Sequence, residues 1–306
     1  MQFALGCPHG ARSVESRARG SRWLLPERAR DGRAAVPSPL PADGIVLRHF
    51  DPDRLDRRDA ALIARILPVA HSFSRVYVRL RVDGLENVPA GPAVFAANHN
   101  GGIAGPDLAC TLSTLWQALG PKTPLYALAH DFPMRHFTPL GRVIQRLGAV
   151  RASRANADRI LDEGASFLVY PGGDIEAYRH ARRRDEVVLG ERAGFIRAAQ
   201  RARAPVVPIV AHGAHRSAYI FHEGERLAQT LRLKRWARVE RFPFALALPW
   251  GIAPGPWLPY APLPFAIRLR VLPAERVTQE EDPEVARERI RARMQDALDA
   301  MAREAQ

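Results

Sequence analysis

One segment of the 306-residue chain combines a histidine, several glycines and an aspartate. It runs from Asn98 to Asp107 and reads NHNGGIAGPD, directly after the short apolar run AVFAA. A histidine can accept a proton near neutral pH, and a neighbouring carboxylate can fix its tautomer and stabilise its imidazolium. The segment therefore indicates general base catalysis by His99, supported by Asp107. The alternative is a turn histidine bonded to backbone, with Asp107 as a helix N-cap.

A second segment, Val169 to Ala177, reads VYPGGDIEA and also follows an apolar run. Its two glycines allow backbone N–H groups to approach a ligand closely, while Asp174 and Glu176 add hydrogen-bond acceptors. The alternative is an ordinary Pro-Gly turn. Both segments therefore place candidate chemistry just after a buried strand.

The elements that must position these segments alternate between short apolar runs and amphipathic stretches. Strands are predicted at 76–82, 93–97, 125–129, 166–170 and 205–210. Helices are predicted within 51–76 and at 107–119, 137–147 (broken early by Pro139), 155–162 and 194–203. A last helix is predicted to begin at Asp282-Pro283-Glu284, with an apolar stripe of Val285, Ile290, Met294, Leu298 and Met301. This alternation favours an α/β sheet covered on both faces.

Four blocks in order resemble those of the glycerolipid acyltransferases, the lysophospholipid and glycerol-phosphate acyltransferases. They are the Asn98–Asp107 segment, Gly148-Ala149-Val150-Arg151, the Tyr-Pro-Gly-Gly segment and Val206-Val207-Pro208-Ile209-Val210. The form PGGDIEA resembles the monoacylglycerol and diacylglycerol acyltransferase-like branch. The resemblance spans about Val82 to Val271. It implies a single glycerol-phosphate-acyltransferase-like domain with a central mixed sheet flanked by helices.

By this resemblance, His99 deprotonates an acceptor hydroxyl, Asp107 orients His99, and the alkoxide attacks an acyl thioester. The co-substrate is acyl-CoA or an acyl-carrier protein, and no other cofactor and no metal is expected. Backbone N–H groups near Gly172 and Gly173 are candidate oxyanion donors. The predicted substrate-binding residues are Asn98, Gly101, Gly102, Arg151, Pro171, Gly172, Gly173, Asp174 and Glu176.

Two departures from the family pattern concern the acceptor and the spacing. His99 and Asp107 are separated by more residues than in the family's common H-x4-D. The Gly172-Gly173-Asp174 sequence stands where the family usually has Glu-Gly-Thr-Arg, which is associated with a phosphorylated acceptor. The sequence therefore argues against a phosphate-bearing acceptor.

The formal charge of +13 and the pI near 10.9 indicate a nucleic acid, an anionic membrane or an acidic substrate as partner. The uncharged run Phe242 to Ile267 is long enough to cross a bilayer, but its prolines argue against a membrane-spanning helix. Its aromatic residues suit a bilayer interface or an acyl-chain tunnel, and the basic residues before it suit contact with anionic lipid. The alternative is a hydrophobic loop packed on the domain, with a solvated basic helix before it. The aromatic residues are Phe242, Trp250, Trp257, Tyr260 and Phe265, and the basic residues are Arg232, Lys234, Arg235, Arg238 and Arg241.

Residues 1–44 are predicted to be a disordered arginine- and proline-rich segment, and residues 45–306 the acyltransferase domain, with a core at 82–272 and a terminal helix at 282–304. No secretory signal or nucleic-acid module is recognisable, and the three histidines His212, His215 and His222 lack a complete metal-ligand set. The expected partners are an acyl thioester donor, a lipid acceptor and an anionic membrane surface, at the cytoplasmic face of the cell membrane. A catalytically silent lipid-binding relative and a basic nucleic-acid-binding protein are the alternatives.

Overall fold

The computed structural model describes residues 50–102, 105–130, 134, 138–191, 193–255 and 265–305. Nine α-helices lie in these ranges: α1 Ala60–Val76, α2 Pro106–Leu119, α3 Thr138–Arg146, α4 Arg154–Asp162, α5 Gly173–Ala177, α6 Gly194–Ala202, α7 Glu225–Thr230, α8 Leu233–Trp236 and α9 Pro283–Arg303. Ten strands accompany them: β1 Arg81–Asp83, β2 Val94–Ala97, β3 Leu125–Ala129, β4 Ala149–Arg151, β5 Ser166–Val169, β6 Val206–His212, β7 Tyr219–His222, β8 Phe244–Ala247, β9 Gly251–Pro254 and β10 Arg268–Val271. The segment 1–44, predicted to be disordered, lies outside the described residues.

Seven strands form the central sheet, in the order β1-β10-β6-β2-β5-β3-β4. All neighbouring pairs are parallel except β10 with β6. The other three strands form a separate antiparallel sheet in the order β7-β8-β9. The predicted fold class, a central mixed sheet flanked by helices, is confirmed.

Successive side chains of the central strands point to opposite faces of the sheet, and each face has its own apolar core. Val94 and Ala96 of β2 pack with buried residues of α4, α6 and α9. Phe95 and Ala97 pack on the other face with residues of α1 and α2, including Ile63 and Leu115. Because both faces are covered, the central strands are apolar throughout, as the sequence indicated.

The sequence placed most central elements within one to two residues, but the strand predicted at 76–82 was wrong. Helix α1 continues to Val76, and the strand begins only at Arg81. Helix α1 itself begins after Asp59, whose carboxylate accepts a hydrogen bond from Leu62 N at 2.9 Å. Pro139 does not break α3, because it occupies the second position of that helix, where its missing N–H has no intrahelical role.

The terminal helix begins as predicted, with Asp282 as N-cap and Pro283 at its first position. Its buried stripe consists of Ala286, Ile290, Met294, Leu298 and Met301. Val285 was wrongly assigned to this stripe, since it is 61% exposed. The buried positions follow one another every three or four residues from Ala286, and Val285 lies one residue before Ala286, on another face of the helix.

The proline-rich run from Phe242 contains strands β8 and β9, and residues 256–264, with Trp257 and Tyr260, lie outside the described ranges. Phe265 was assigned to a membrane or acyl-chain role, but it is 2% exposed and packs with Val78, Ile267 and Leu269. In the described part of the chain, no helix combines the length and the apolar character needed to cross a membrane.

Candidate active site

The first and third blocks lie side by side at one edge of the central sheet. Strands β6, β2, β5, β3 and β4 are mutually parallel, so their carboxyl ends share that edge. The Asn98–Asp107 segment follows β2, the Tyr-Pro-Gly-Gly segment follows β5, and β2 and β5 are neighbours. This edge is where ligands usually bind in α/β sheets.

The structure brings His99 and Asp107 into contact despite their long separation in sequence. Nδ1 of His99 lies 2.7 Å from Oδ2 of Asp107, and the same oxygen accepts a hydrogen bond from Asn100 N at 2.9 Å. Asp107 is fully buried in the first turn of α2, where the positive end of the helix dipole favours a carboxylate. The geometry is that of a base with an orienting carboxylate.

Glycines in the intervening loop make this contact possible. A Cβ at Gly101 would overlap the carboxylate of Asp107. Gly102 and Gly105 have positive φ angles of 60° and 53°, which favour glycine. Gly101 and Gly102, predicted to bind substrate, therefore determine the conformation of the loop.

Burial and charge act in opposite directions on the His99–Asp107 pair. Burial alone would lower the pKa of His99, but the charge and hydrogen bond of Asp107 outweigh it, so the pKa of His99 is raised. Burial would likewise raise the pKa of Asp107, but the charge and hydrogen bond of His99 keep that pKa low. Asp107 thus remains a carboxylate, and His99 is a stronger base than an isolated imidazole.

The backbone of His99 is held by a buried ion pair, Glu176 and Arg179. Oε2 of Glu176 accepts a hydrogen bond from His99 N at 2.8 Å, and Nη1 of Arg179 donates to His99 O at 2.9 Å. The other carboxylate oxygen, Oε1, accepts from Val188 N at 3.0 Å and lies 3.8 Å from Arg179 Nη1. Glu176, predicted to bind substrate, therefore has both oxygens engaged by the protein.

Arg179 was missed by sequence reasoning. Its guanidinium also donates to the carbonyls of Glu176, Arg183 and Arg184, at 2.7 to 2.9 Å. Burial lowers the pKa of Arg179, and burial raises the pKa of Glu176 to about 7. The available signal was the i, i+3 spacing of opposite charges beside the Gly-Gly turn.

Asn98 joins the end of β2 to the end of β6. Its Oδ1 accepts from Ala211 N at 2.7 Å, and its Nδ2 donates to Ala211 O at 3.0 Å. The side chain of Asn100 donates to the same carbonyl at 3.0 Å. Asn98 is fully buried and directly precedes His99. Its two hydrogen bonds therefore hold the backbone next to His99 against β6.

The Tyr-Pro-Gly-Gly segment packs against His99 through the Tyr170 ring, whose centroid lies 4.8 Å from that of the imidazole. A Cβ at Gly172 would overlap the carbonyl of Val188, so the chains can approach this closely only with glycine there. Gly173 N donates to Tyr170 O at 3.1 Å, which engages one of the two candidate oxyanion donors. Asp174 accepts a hydrogen bond from Glu240 N. Pro171 lies within this turn, between Tyr170 and Gly172.

Arg151 lies at the same sheet edge but at the far end of the strand order. Strand β4 is three strands from β2, about 14 Å away at the usual strand spacing. The guanidinium of Arg151 forms an ion pair with Asp53, and its Nε lies 2.9 Å from Asp53 Oδ1. The structure therefore does not bring Arg151 next to His99.

The histidines after β6 show no metal-site geometry in the described residues. His212 Nε2 lies 3.6 Å from Asp185 Oδ1, and no group of three or more potential ligands is assembled in the described ranges. Burial lowers the pKa of His215 to about 3, which keeps this imidazole neutral. His222 Nδ1 accepts from Gly224 N at 2.9 Å within its own turn.

Comparisons with known proteins bear on the class of protein and on the fold. A family model named Acyltransferase matches residues 79–212, which include His99, Asp107 and the Tyr-Pro-Gly-Gly segment. Residues 79–212 are therefore similar to the acyltransferase family.

The fold is similar to that of the 1-acyl-sn-glycerophosphate acyltransferase of Thermotoga maritima, with a TM-score of 0.50 and 14% identity, over 78% of this chain and 79% of that chain. Uncharacterized proteins of Mycobacterium tuberculosis and Mycobacterium bovis are 27% identical over 194 residues, which are 63% of this chain. The matched region is 53% of their length, so the chain aligns with about half of these curated relatives.

Proposed function

We propose that the chain is a membrane-associated O-acyltransferase, which transfers a fatty acyl group from a thioester to a lipid hydroxyl. The contact between His99 Nδ1 and Asp107 Oδ2, 2.7 Å long at the carboxyl edge of the sheet, carries this proposal. With Nδ1 engaged, Nε2 is the ring nitrogen left to accept a proton. The His99 side chain remains 19% exposed, so an acceptor can reach it.

In the proposed reaction, Nε2 of His99 removes the proton from the acceptor hydroxyl as its oxygen attacks the thioester carbonyl. A new C–O bond forms, and the carbonyl electrons move to an oxyanion. Collapse of this intermediate breaks the C–S bond, and the thiolate leaves with the proton from the His99 imidazolium. Asp107 stabilises the imidazolium throughout, and no acyl group becomes attached to the protein.

Glu176 and Arg179 act as positioning residues in this proposal. They hold the N–H and the carbonyl of His99 from opposite sides, at 2.8 and 2.9 Å. Asn98 fixes the preceding residue to β6. A base held in this way keeps its orientation when a bulky lipid acceptor binds.

The donor is proposed to be acyl-CoA or an acyl-carrier protein, and the acceptor a glycerolipid or related lipid hydroxyl without a phosphate. The Gly172-Gly173-Asp174 sequence supports an unphosphorylated acceptor, because it supplies no arginine there. The only nearby buried guanidinium in the described part of the site, Arg179, is committed to four backbone carbonyls. The protein would act peripherally at the cytoplasmic face of the cell membrane.

The proposal is tested by thiol release from long-chain acyl-CoA and acyl-carrier protein, with a panel of acceptors. Monoacylglycerol, diacylglycerol, lysophosphatidic acid and other lysophospholipids should be compared with wild-type protein and His99→Ala. We expect thiol release that depends on an unphosphorylated acceptor and is lost in His99→Ala. Wild-type rates in that variant would falsify the mechanism, and no turnover with either donor would leave a silent lipid-binding relative.

A further inference from the structure

The three-stranded sheet β7-β8-β9 has its large apolar side chains on the outside. Its buried side consists mainly of alanines, with Ala218, Ala245, Ala247 and Ala253 around Ile220. An antiparallel sheet with one solvated face normally buries its large apolar side chains and exposes polar ones. This sheet does the opposite, which indicates that its exposed face meets an apolar surface.

The exposed apolar side chains form a continuous row across the three strands. Tyr219 of β7 pairs with Leu246 of β8, and Leu246 pairs with Ile252 of β9. These side chains are 50%, 48% and 60% exposed. Leu248 and Trp250, in the turn between β8 and β9, are also about half exposed. We call these five residues the outer apolar patch.

The segment of the chain that contains β7 and leads to β8 is strongly basic. Residues 216–241 hold seven basic and three acidic side chains. The three acidic ones are all paired: Glu223 and Glu225 with Arg241, and Glu240 with Lys234. Four exposed arginines of this stretch form no ion pair with any acidic residue that the structure describes: Arg216, Arg226, Arg232 and Arg235.

The small sheet is also attached to the candidate active site. Its buried residues Ala218 and Ile220 line a small cavity together with Asn100 and Glu176. Asp174, in the Gly-Gly segment, accepts a hydrogen bond from the backbone of Glu240, between α8 and β8. The sheet that carries the outer apolar patch is therefore packed against the candidate active site.

We propose that the outer apolar patch docks on the surface of an anionic lipid bilayer, with these four exposed arginines contacting lipid head groups. The choice of a bilayer rests on the proposed function, since a lipid acceptor must be taken from one. Apolar side chains and excess positive charge on neighbouring segments of the chain match a bilayer with anionic head groups. A second copy of this chain would place like charges against one another.

The test is vesicle binding by the full chain, measured by co-sedimentation without any turnover. The vesicles contain either phosphatidylcholine alone or phosphatidylcholine with phosphatidylglycerol. The patch variant is Leu246→Gln with Ile252→Gln, and its matched control is Val285→Gln, an equally exposed apolar residue on α9.

The charge variant is Arg232→Gln with Arg235→Gln. Its control is Arg203→Gln with Arg276→Gln, two exposed arginines near the amino end of β6, opposite to the end that leads into β7.

We expect wild type and both controls to prefer anionic vesicles, and each test variant to bind them about tenfold more weakly or worse. Thermal melting of the variants checks that they remain folded. Undiminished vesicle binding by the patch variant overturns the proposal. Absence of vesicle binding by the wild type also overturns it. A wild-type dimer that becomes monomeric in the patch variant, without vesicle binding, would assign the patch to self-association.

His99→Ala separates this proposal from the proposed function. Vesicle binding by that variant should equal that of wild type, because His99 lies outside the patch. A protein that binds anionic vesicles through the patch but transfers no acyl group would retain the docking surface and lose the proposed chemistry.

Discussion

His99 is controlled by two groups of contacts that act on different atoms. Asp107 acts on the ring, through Nδ1, and sets its basicity and tautomer. Glu176 and Arg179 act on the backbone and set its position. The two groups can be separated by mutation, because loss of the Asp107 charge should shift the pH dependence of the reaction more than loss of the Glu176 charge.

Asp107→Asn should lower kcat by roughly 10²–10⁴-fold, because the imidazolium loses its counter-charge. The reaction needs neutral His99, so the rate rises with pH through the pKa of His99, which Asp107 raises. The variant loses the raising effect of Asp107, while burial and the Arg179 charge still lower the pKa of His99 against the Glu176 charge, so the acidic inflection should move to lower pH. A pH profile of kcat/KM measures this, and an inflection that stays in place would contradict the pairing.

Glu176→Gln should lower kcat roughly tenfold to a hundredfold, with KM changed much less. A glutamine offers one oxygen where two backbone N–H groups, of His99 and Val188, need acceptors. The acidic inflection of the pH profile, which reports the pKa of His99, should shift only by the contribution of the Glu176 charge, which follows burial and Asp107 among the effects on that pKa. Glu288→Gln, which alters an exposed ion pair on α9, is the matched control. Equal losses of kcat in both variants would argue against a positioning role.

The sequence predicted His99 and Asp107 because strand, glycine turn and helix start follow one another locally. Arg179 could not be predicted in the same way, since its importance depends on the carbonyl of His99, far away in the chain. Arg151 illustrates the opposite case. Its block was recognised, but only the strand order shows that β4 lies at the far end from β2.

At the scale of elements, the described residues of the loop from β2 to α2 make close contacts with the carboxylate of Asp107. Gly101→Ala should therefore reduce both activity and stability, because the new Cβ must displace the carboxylate of Asp107. Gly91→Ala is the control, since no heavy atom beyond Gly91 and its two chain neighbours lies within 4 Å of the position that its new Cβ would occupy, and its φ is not positive. We expect the control to be neutral or slightly stabilising. Chemical denaturation and thiol-release assays measure the two effects.

Helix α9 stabilises the sheet through its buried stripe. Ile290→Ala should lower the free energy of unfolding by about 2–5 kcal/mol, because Ile290 is fully buried. Val285→Ala should change it by less than about 0.5 kcal/mol, since Val285 is mostly exposed. Urea unfolding distinguishes the two, and similar values would contradict the observed orientation of the helix.

Strands β2, β3, β5 and β6 were predictable because burial on both faces makes them continuous apolar runs. The short edge strands and the small sheet were not predicted. Strand β4 has three residues, and β7 to β9 carry alanine inside and large apolar residues outside. The pattern of β7 to β9 is the reverse of the usual one, in which large apolar side chains are buried, so tertiary structure was needed to identify these strands.

At the scale of the whole molecule, the central sheet is completed by β10, the last of its strands in chain order. Strand β10 lies between β1 and β6, parallel to the first and antiparallel to the second. Replacing Leu269, which is fully buried in β10, by Asp should therefore unfold both neighbours together. Hydrogen exchange should show lost protection in β1 and β6 alike; loss confined to β10 would contradict this coupling.

The position of β10 also determines when the sheet can be completed during synthesis. Residues 81–83 leave the ribosome before the other described strands, but their pairing partner, residues 268–271, emerges after all of them. Until then β1 has no strand to join, and one edge of β6 has open backbone N–H and C=O groups. The nascent chain therefore carries an unfinished sheet edge while the rest of the sheet is being made, and an open edge of this kind is prone to aggregation.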